Sequence, residues 1–168
     1  VLHEIAITGH VPHLDITRLE KDLKTICETE IAFFDPKTKQ APVNRYVFLI
    51  MVVGNGYGGL EHRASTALLC SRQALPNTST PEIDNNLSTD YVQFLGLCSH
   101  EYFHTWNVKR IKPAAFIPYQ LNTEADTRML WLFEGFTSYF DDLILRKSGL
   151  IDANTYLQLI AKTINGIM

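Results

Sequence analysis

The spacing of hydrophobic and polar positions divides the first half of the chain into strands and one helix. Residues 3–8 alternate loosely and predict a short strand at the edge of a sheet. Residues 45–53 form an unbroken β-branched and aromatic run, which predicts a strand buried on both faces, and residues 67–70 predict another strand. Between the strands at 3–8 and 45–53, residues 16–30 carry one apolar stripe at helical spacing, with Thr17 and Glu20 as a capping box.

The second half is predicted to be mostly helical. Residues 88–107 and 123–147 carry apolar side chains around most of their circumference, which is typical of buried helices. Thr123 and Asp126 are expected to cap the second of these, and Asp152 to cap a third helix after it. Residues 73–86 are rich in Pro, Asn, Ser and Thr and predict a surface loop. Together these elements predict an α+β fold, a small mixed sheet packed on long helices.

Composition narrows the class of protein without identifying it. The 168 residues carry a net charge of −3 and 46% hydrophobic residues, which suits one domain with its own core. Neither a nucleic-acid partner nor a membrane span is indicated. Three cysteines in apolar surroundings predict buried thiols, which favours the cytoplasm and leaves the periplasm or cell envelope open. The chain begins without Met and ends inside a predicted helix, so we expect a piece of a longer protein, truncated at both ends.

The strongest chemical signal is a pair of histidines with a glutamate between them. His100 and His104 are four residues apart, so on a helix they share one face, and Glu101 follows the first directly. Two such imidazoles can bind one metal ion, with the carboxylate reaching a metal-bound water. About 0.01 matches to this pattern are expected by chance in such a chain. The alternative is a buried helix that carries two hydrogen-bonded histidines.

A catalytic zinc site needs a third protein ligand and one open position. No histidine follows His104, so the third ligand is sought among the downstream acids. Glu124 is expected in a solvent-facing first helical turn, whereas Glu134 is expected in a buried helix middle, where an unpaired carboxylate is costly. The sequence therefore favours one Zn²⁺ per chain, held by His100, His104 and Glu134. Asp141, two turns after Glu134 on the same face, is a candidate to orient a ligand histidine.

A glycine-rich stretch precedes the strand at residues 67–70. Glycines such as Gly58 and Gly59 let another backbone approach closely, which fits an edge strand that receives an extended peptide. Phosphate binding is disfavoured because no helix follows the glycines directly. The basic residues 109–112 are interpreted as a solvated helix C-terminus.

Residues 100–113 and 130–143 resemble the glycyl aminopeptidase family, family sixty-one of the metallopeptidases. These enzymes are gluzincins related to aminopeptidase N. Residues 58–62 are similar to the Gly-x-Met-Glu-Asn exopeptidase strand of aminopeptidase N, with His62 in place of Asn. The resemblance implies a thermolysin-like catalytic subdomain in a parent that also has an N-terminal β-rich domain and a C-terminal PDZ region. Residues 1–168 are then a fragment of the metallopeptidase catalytic domain.

The resemblance also implies that Glu61 binds the free α-amino group of a peptide. The alternative is an ordinary strand-end acid, or one paired to Arg63. Related enzymes use a Tyr or His donor to stabilise the oxyanion, and by the family's spacing we expect that donor beyond Met168, since Tyr156 is a poor substitute.

These features together predict zinc-dependent peptide hydrolysis. The expected activity is removal of small N-terminal residues such as Gly or Ala, with Glu101 taking the proton of the attacking water. A zinc endopeptidase, in which Glu61 has no amine to bind, is one alternative. The other is a non-catalytic peptide-binding module that keeps a structural metal, against which Glu101 argues because a closed structural site needs no base.

Overall fold

A four-stranded sheet and four α-helices make up the computed structural model, which describes residues 1–79, 87–120 and 122–167. The predicted loop at 73–86 lies partly outside these residues. The elements occur in the order β1 Leu2–Thr8, α1 Ile16–Phe34, β2 Arg45–Val53, β3 Tyr57–Glu61, β4 Ser65–Ser71, α2 Thr89–Phe103, α3 Leu130–Lys147 and α4 Ala153–Ile167.

The sheet is mixed, with the strand order β1-β2-β4-β3. Strands β1, β2 and β4 run parallel, and β3 pairs antiparallel with β4 at one edge. Strand β2 is not buried on both faces as predicted. Phe48 and Ile50 point into the core, while Leu49 and Met51 between them are exposed, because the helices cover only one face of the described sheet.

Helix α1 follows its predicted stripe but not its predicted cap. Asp15 caps the helix by accepting a hydrogen bond of 2.9 Å from the backbone N–H of Arg18. Thr17 and Glu20 therefore lie inside the first turns, and the capping box is wrong. The apolar stripe, including Leu19, Leu23 and Ile26, packs into the core as expected.

Helix α2 is buried on nearly all sides, as its sequence predicts. Ser88 caps it, with its hydroxyl accepting from the backbone N–H of Tyr91. The helix ends at Phe103, four residues before the predicted end. The chain then tightens into turns in which the N–H groups of Thr105 and Trp106 donate three residues back.

Helix α3 departs most from its prediction. It begins at Leu130, so Thr123 and Asp126 do not cap it. It also packs against α2 along one side only, which leaves Trp131 70% exposed and Phe136 51% exposed. Only one side of this apolar helix is covered by the rest of the described protein. The periodicity of its apolar residues alone could not distinguish this partial burial from full burial. Helix α4 is capped by Asp152 as predicted, through a 2.7 Å hydrogen bond from the N–H of Thr155.

The three cysteines, Cys27, Cys70 and Cys98, are buried free thiols, as their apolar surroundings predict. Within the described parts of the chain, none of the helices has the length and hydrophobicity needed to cross a bilayer.

Substitution of Gly9 tests how closely the chain at the end of β1 packs against β2. Its φ is +106°, and a Cβ there would lie 2.3 Å from the backbone oxygen of Val52. Gly149 also has a positive φ, of +79°, but open space around it. Both Gly→Ala changes should cost about 1–2 kcal/mol in backbone strain. We expect a larger loss of unfolding free energy for Gly9→Ala, measured by urea denaturation, and equal losses would contradict this close packing.

Candidate metal centre

The last turn of α2 brings two imidazole rings together. His100 and His104 are one turn apart, and their ring centroids are separated by 4.8 Å. His104 is buried and His100 is partly buried, because α2 lies between the sheet and α3. Both rings therefore sit where a polar group needs a partner.

Glu134 on α3 supplies a carboxylate that lies close to Nε2 of both rings. Its Oε2 lies 3.4 Å from Nε2 of His100 and 3.7 Å from Nε2 of His104. Ligand atoms of the three residues all lie within 4.8 Å of one another. Glu134 is nevertheless not buried in the middle of its helix as predicted, because its side chain is 44% exposed. Contact between α2 and α3 brings it here, while Glu124 is exposed and precedes the helix.

Hydrogen bonds at the other ring nitrogen orient both histidines. Nδ1 of His104 donates to the backbone carbonyl of Asn107 at 2.8 Å, and Nδ1 of His100 donates to Oδ2 of Asp141 at 3.0 Å. A carbonyl can only accept, so the proton of neutral His104 is on Nδ1 and its Nε2 carries a lone pair. Nε2 of both rings is thus free to bind a metal, the arrangement that an oxygen partner behind the ring usually secures.

Burial and charge act differently on the two rings. Burial lowers the pKa of His104, which keeps this imidazole neutral near neutral pH. Burial also opposes protonation of His100, but the hydrogen bond and negative charge of Asp141 outweigh it and raise the pKa of His100. Asp141, picked out from the sequence as a candidate orienting residue, lies where that candidate role requires.

Asn107 is a site residue that the sequence reading did not single out. Its Nδ2 donates to the backbone oxygen of Phe133 and to Oγ1 of Thr137, both at 3.1 Å. The same residue thus accepts from His104 and holds α3 beside Glu134. Its position three residues after the second histidine, where the helix ends, was the available signal.

A buried carboxyl lies behind this layer. Glu30 on α1 is fully buried, and its Oε1 lies 2.9 Å from the hydroxyl of Ser99, which also lies 3.0 Å from the backbone oxygen of Asp141. Burial raises the pKa of Glu30 well above its usual value. The Ser99 hydroxyl is placed to donate to Oε1 of Glu30 or to the backbone oxygen of Asp141, and its single proton can serve one of them at a time.

Glu101 points away from the hydrogen bonds of Glu30, Ser99 and Asp141 and lies against β3. It is only 4% exposed, and its Oε2 has no hydrogen-bond partner among the described residues. Burial raises the pKa of Glu101 to about 7, in the range that suits a general base near neutral pH. The carboxylate lies directly against Gly59, where a Cβ would come within 2.2 Å of its Oε1. Any residue larger than glycine at position 59 would displace the Glu101 carboxylate.

Glu61, at the end of β3, is paired with Lys109. Nζ of Lys109 lies 3.0 Å from Oε1 of Glu61, with both side chains mostly buried. Burial alone would raise the pKa of Glu61, but the hydrogen bond and charge of Lys109 lower it, so the carboxylate is ionised. The alternative pairing with Arg63 is wrong, because the partner of Glu61 is Lys109. Lys109 is therefore not the solvated helix-end cation that the basic run predicted. The turn after Phe103 directs it inward instead.

The donor set fits a divalent metal such as zinc. Two imidazole nitrogens with fixed tautomers and one carboxylate converge, and the orphaned buried oxygen of Glu101 lies beside them. A second trio, Glu61, Glu101 and His104, also has ligand atoms within 4.8 Å of one another. It is the weaker candidate because the ammonium of Lys109 already neutralises Glu61.

Two comparisons show which known proteins this chain is similar to. The sequence model of M61 glycyl aminopeptidase matches residues 93–168, which include both histidines and Glu134. The crystal structure of an aminopeptidase N family protein from Idiomarina loihiensis is 51% identical and covers 92% of this chain, with a TM-score of 0.84. The chain spans only 25% of the length of that protein. Comparison with curated proteins gave no match.

The mixed sheet and the helices are thus similar to those of an aminopeptidase N family protein. The part of the chain at residues 93–168 matches the M61 glycyl aminopeptidase family.

The close approach of Gly59 to Glu101 gives a matched pair of variants. Gly59→Ala must push the Glu101 carboxylate aside, whereas a Cβ at Gly58 meets nothing within 4 Å. Because Glu101 is not among the proposed ligands, Gly59→Ala should keep bound metal yet lower kcat on the order of a hundred-fold, the usual effect of a small misplacement of a catalytic group. Gly58→Ala is the control: it can change KM, because Gly58 lies on the proposed peptide surface, but it should change kcat little, because a Cβ there does not touch Glu101. Similar kcat values for the two variants would show that the strand does not position Glu101.

Proposed function

We propose that this chain is part of the catalytic domain of a zinc-dependent aminopeptidase of the thermolysin-like, gluzincin type. The observation that carries the proposal is the convergence of His100, His104 and Glu134 beside the buried carboxylate of Glu101. One Zn²⁺ per chain, peptide substrates, and a parent protein with an N-terminal β domain and a C-terminal PDZ region belong to this proposal. So does a cytoplasmic location, favoured by the free cysteines.

His100, His104 and Glu134 would hold the zinc ion. When bound, zinc supplies Lewis acidity, which lowers the pKa of a water and polarises a peptide carbonyl. Glu101 takes the proton of the attacking water at its free Oε2 and then delivers it to the leaving amine. Asp141 and the carbonyl of Asn107 keep the two rings in the ligating tautomer throughout.

The edge strand β3 offers the surface on which a peptide can lie. A peptide docked along Gly58 and Gly59, with its N-terminus at Glu61, would place its ammonium against that carboxylate and its first peptide bond over the metal ligands. The small first residues Gly and Ala are the substrates that the family's name supports. Lys109 already forms an ion pair with Glu61. A substrate ammonium must therefore compete with the ammonium of Lys109 for the carboxylate or share the carboxylate with it.

That same ion pair favours a second candidate function. If Lys109 keeps Glu61 neutralised in the enzyme–substrate complex, the free amine of a peptide gains nothing there, and internal peptide bonds become equivalent substrates. The site is then that of a zinc endopeptidase. A peptide-binding module with a structural metal is less well supported, because Glu101 is buried without a partner beside the ligands.

Metal analysis of three variants separates ligand from base. Protein purified with zinc should contain about one zinc per chain. Glu134→Gln should weaken zinc binding, because it removes an anionic ligand, whereas the matched Glu124→Gln should not. Glu101→Gln should retain zinc and lose most turnover, because the base is not a ligand.

Two results of that analysis would contradict the site. The first is a reproducible lack of zinc in the unmodified protein when zinc is supplied at neutral pH. The second is loss of metal from Glu124→Gln with retention by Glu134→Gln, which would move the third ligand off α3.

Acetylation of the substrate tests the role of Glu61. Glu61→Gln should lower kcat/KM for free-amine peptides roughly ten- to a hundred-fold, the effect of losing about 1.4 to 3 kcal/mol of transition-state binding. The same peptide with an N-acetyl cap should be a poor substrate of the unmodified enzyme and little affected by the change. Equal cleavage of capped and free peptide by the unmodified enzyme would favour the endopeptidase.

A further inference from the structure

A basic cavity of about 410 Å³ opens beside the candidate metal centre. Its wall combines four cations with two aromatic rings, and the chain as a whole is acidic, with a net charge of −3. The cations are Arg63, Lys109, Arg110 and Lys112, and the rings are those of Phe116 and Tyr119. So many like charges around one cavity repel one another unless an anion enters.

The partners of the four cations leave this charge largely uncompensated. Lys109 pairs with Glu61, and Arg110 is held by backbone carbonyls, including that of Thr105 at 2.6 Å. Burial and the nearby charge of Arg63 lower the pKa of Arg110, which is the signature of crowded cations. Arg63 and Lys112 have no carboxylate partner among the described residues. The cavity thus has four positive charges against one negative charge.

Tyr119 holds the two unpaired cations at the cavity. The guanidinium carbon of Arg63 lies 5.2 Å from the ring centroid, and Nζ of Lys112 lies 4.6 Å from it. Lys112 also donates to the Tyr119 hydroxyl at 3.0 Å. Contacts with the face of a ring fix a cation without neutralising it, so both charges stay available to a ligand.

Lys109 connects the cavity to the metal centre. It lines the cavity and touches Glu61, and Glu61 in turn has a carboxylate oxygen within 4.8 Å of a ring nitrogen of His104. The cavity therefore adjoins Glu61, at the proposed N-terminal end of the peptide surface.

We propose that the cavity between Arg63, Lys112 and Tyr119 binds a carboxylate of the peptide substrate, so that the enzyme prefers acidic peptides. This rests on the proposed peptidase function. A guanidinium and an ammonium that converge on one space suit a carboxylate, which can accept a forked pair of bonds from the first and a single bond from the second. The carboxylate can come from an acidic side chain or from a free C-terminus.

Matched peptides test the proposal on the zinc-loaded full-length protein. One pair carries Glu or the isosteric Gln directly after an N-terminal Gly, both with amidated C-termini, and a second pair carries a free or amidated C-terminus. The protein variants are Arg63→Gln/Lys112→Gln and, as a control, Lys147→Gln, which removes another cation that lies over an aromatic ring, 5.5 Å from the Phe33 centroid. Lys147 is at the end of α3, outside this cavity.

Two readouts keep the cavity and the peptidase function separable. The first is the ratio of kcat/KM for the acid and the amide member of each pair. The second is binding of fluorescein-labelled versions of the same peptides, labelled at an internal lysine, to Glu101→Gln protein by fluorescence anisotropy, which needs no turnover.

We expect the acid member of at least one pair to be favoured about tenfold in both readouts, the effect of one charge-assisted hydrogen bond. The Arg63→Gln/Lys112→Gln protein should lose that preference, and Lys147→Gln should keep it. The pair that shows the preference identifies the source of the carboxylate. Equal kcat/KM and equal binding of acid and amide members would overturn the proposal while leaving the peptidase function standing. If no peptide is hydrolysed, the peptidase function fails, and the anisotropy preference alone supports or overturns the carboxylate site.

Discussion

The hydrogen bonds behind the two imidazoles are the constraint on which the rest of the site depends. Helix α2 is buried, so His100 and His104 would be costly there without partners. Their partners come from two directions, the Asp141 carboxylate on α3 and the Asn107 carbonyl just after α2. Because the Asn107 amide also binds α3, the contacts that orient the rings fix the helix that carries Glu134.

Contacts within the protein hold the two rings in the orientation that a metal site requires. The rings are oriented from behind by protein oxygens, and Ser99 extends the same network to the acid of Glu30 on α1. Three helices therefore share one chain of hydrogen bonds. The lone pairs and the carboxylate that face outward from this layer are the groups left for chemistry.

The sequence contained the histidine pair and its base in a form that local geometry could interpret, because i and i+4 share a helix face in any context. Glu134 was found for the wrong reason, since burial was inferred from an apolar helix that is covered on one side only. The start of α3 and the inward turn of Lys109 were missed because both depend on contacts far away in sequence. The sequence correctly indicated an edge strand at residues 58–61. Glycine has no side chain to pack inside a sheet, and it marks places where another backbone can approach closely.

The contact between Gly59 and Glu101 has a consequence for protein design. Transplanting the pair of helices α2 and α3 onto another scaffold would carry both imidazoles, their oxygen acceptors and Glu134 with it. The base would not be transferred intact, because its carboxylate is confined by the backbone of a strand that belongs to the sheet. On a foreign scaffold Glu101 would sample several rotamers, so a graft could bind metal well and still be a poor hydrolase. The minimal transferable unit is therefore two helices plus one glycine-bearing strand edge.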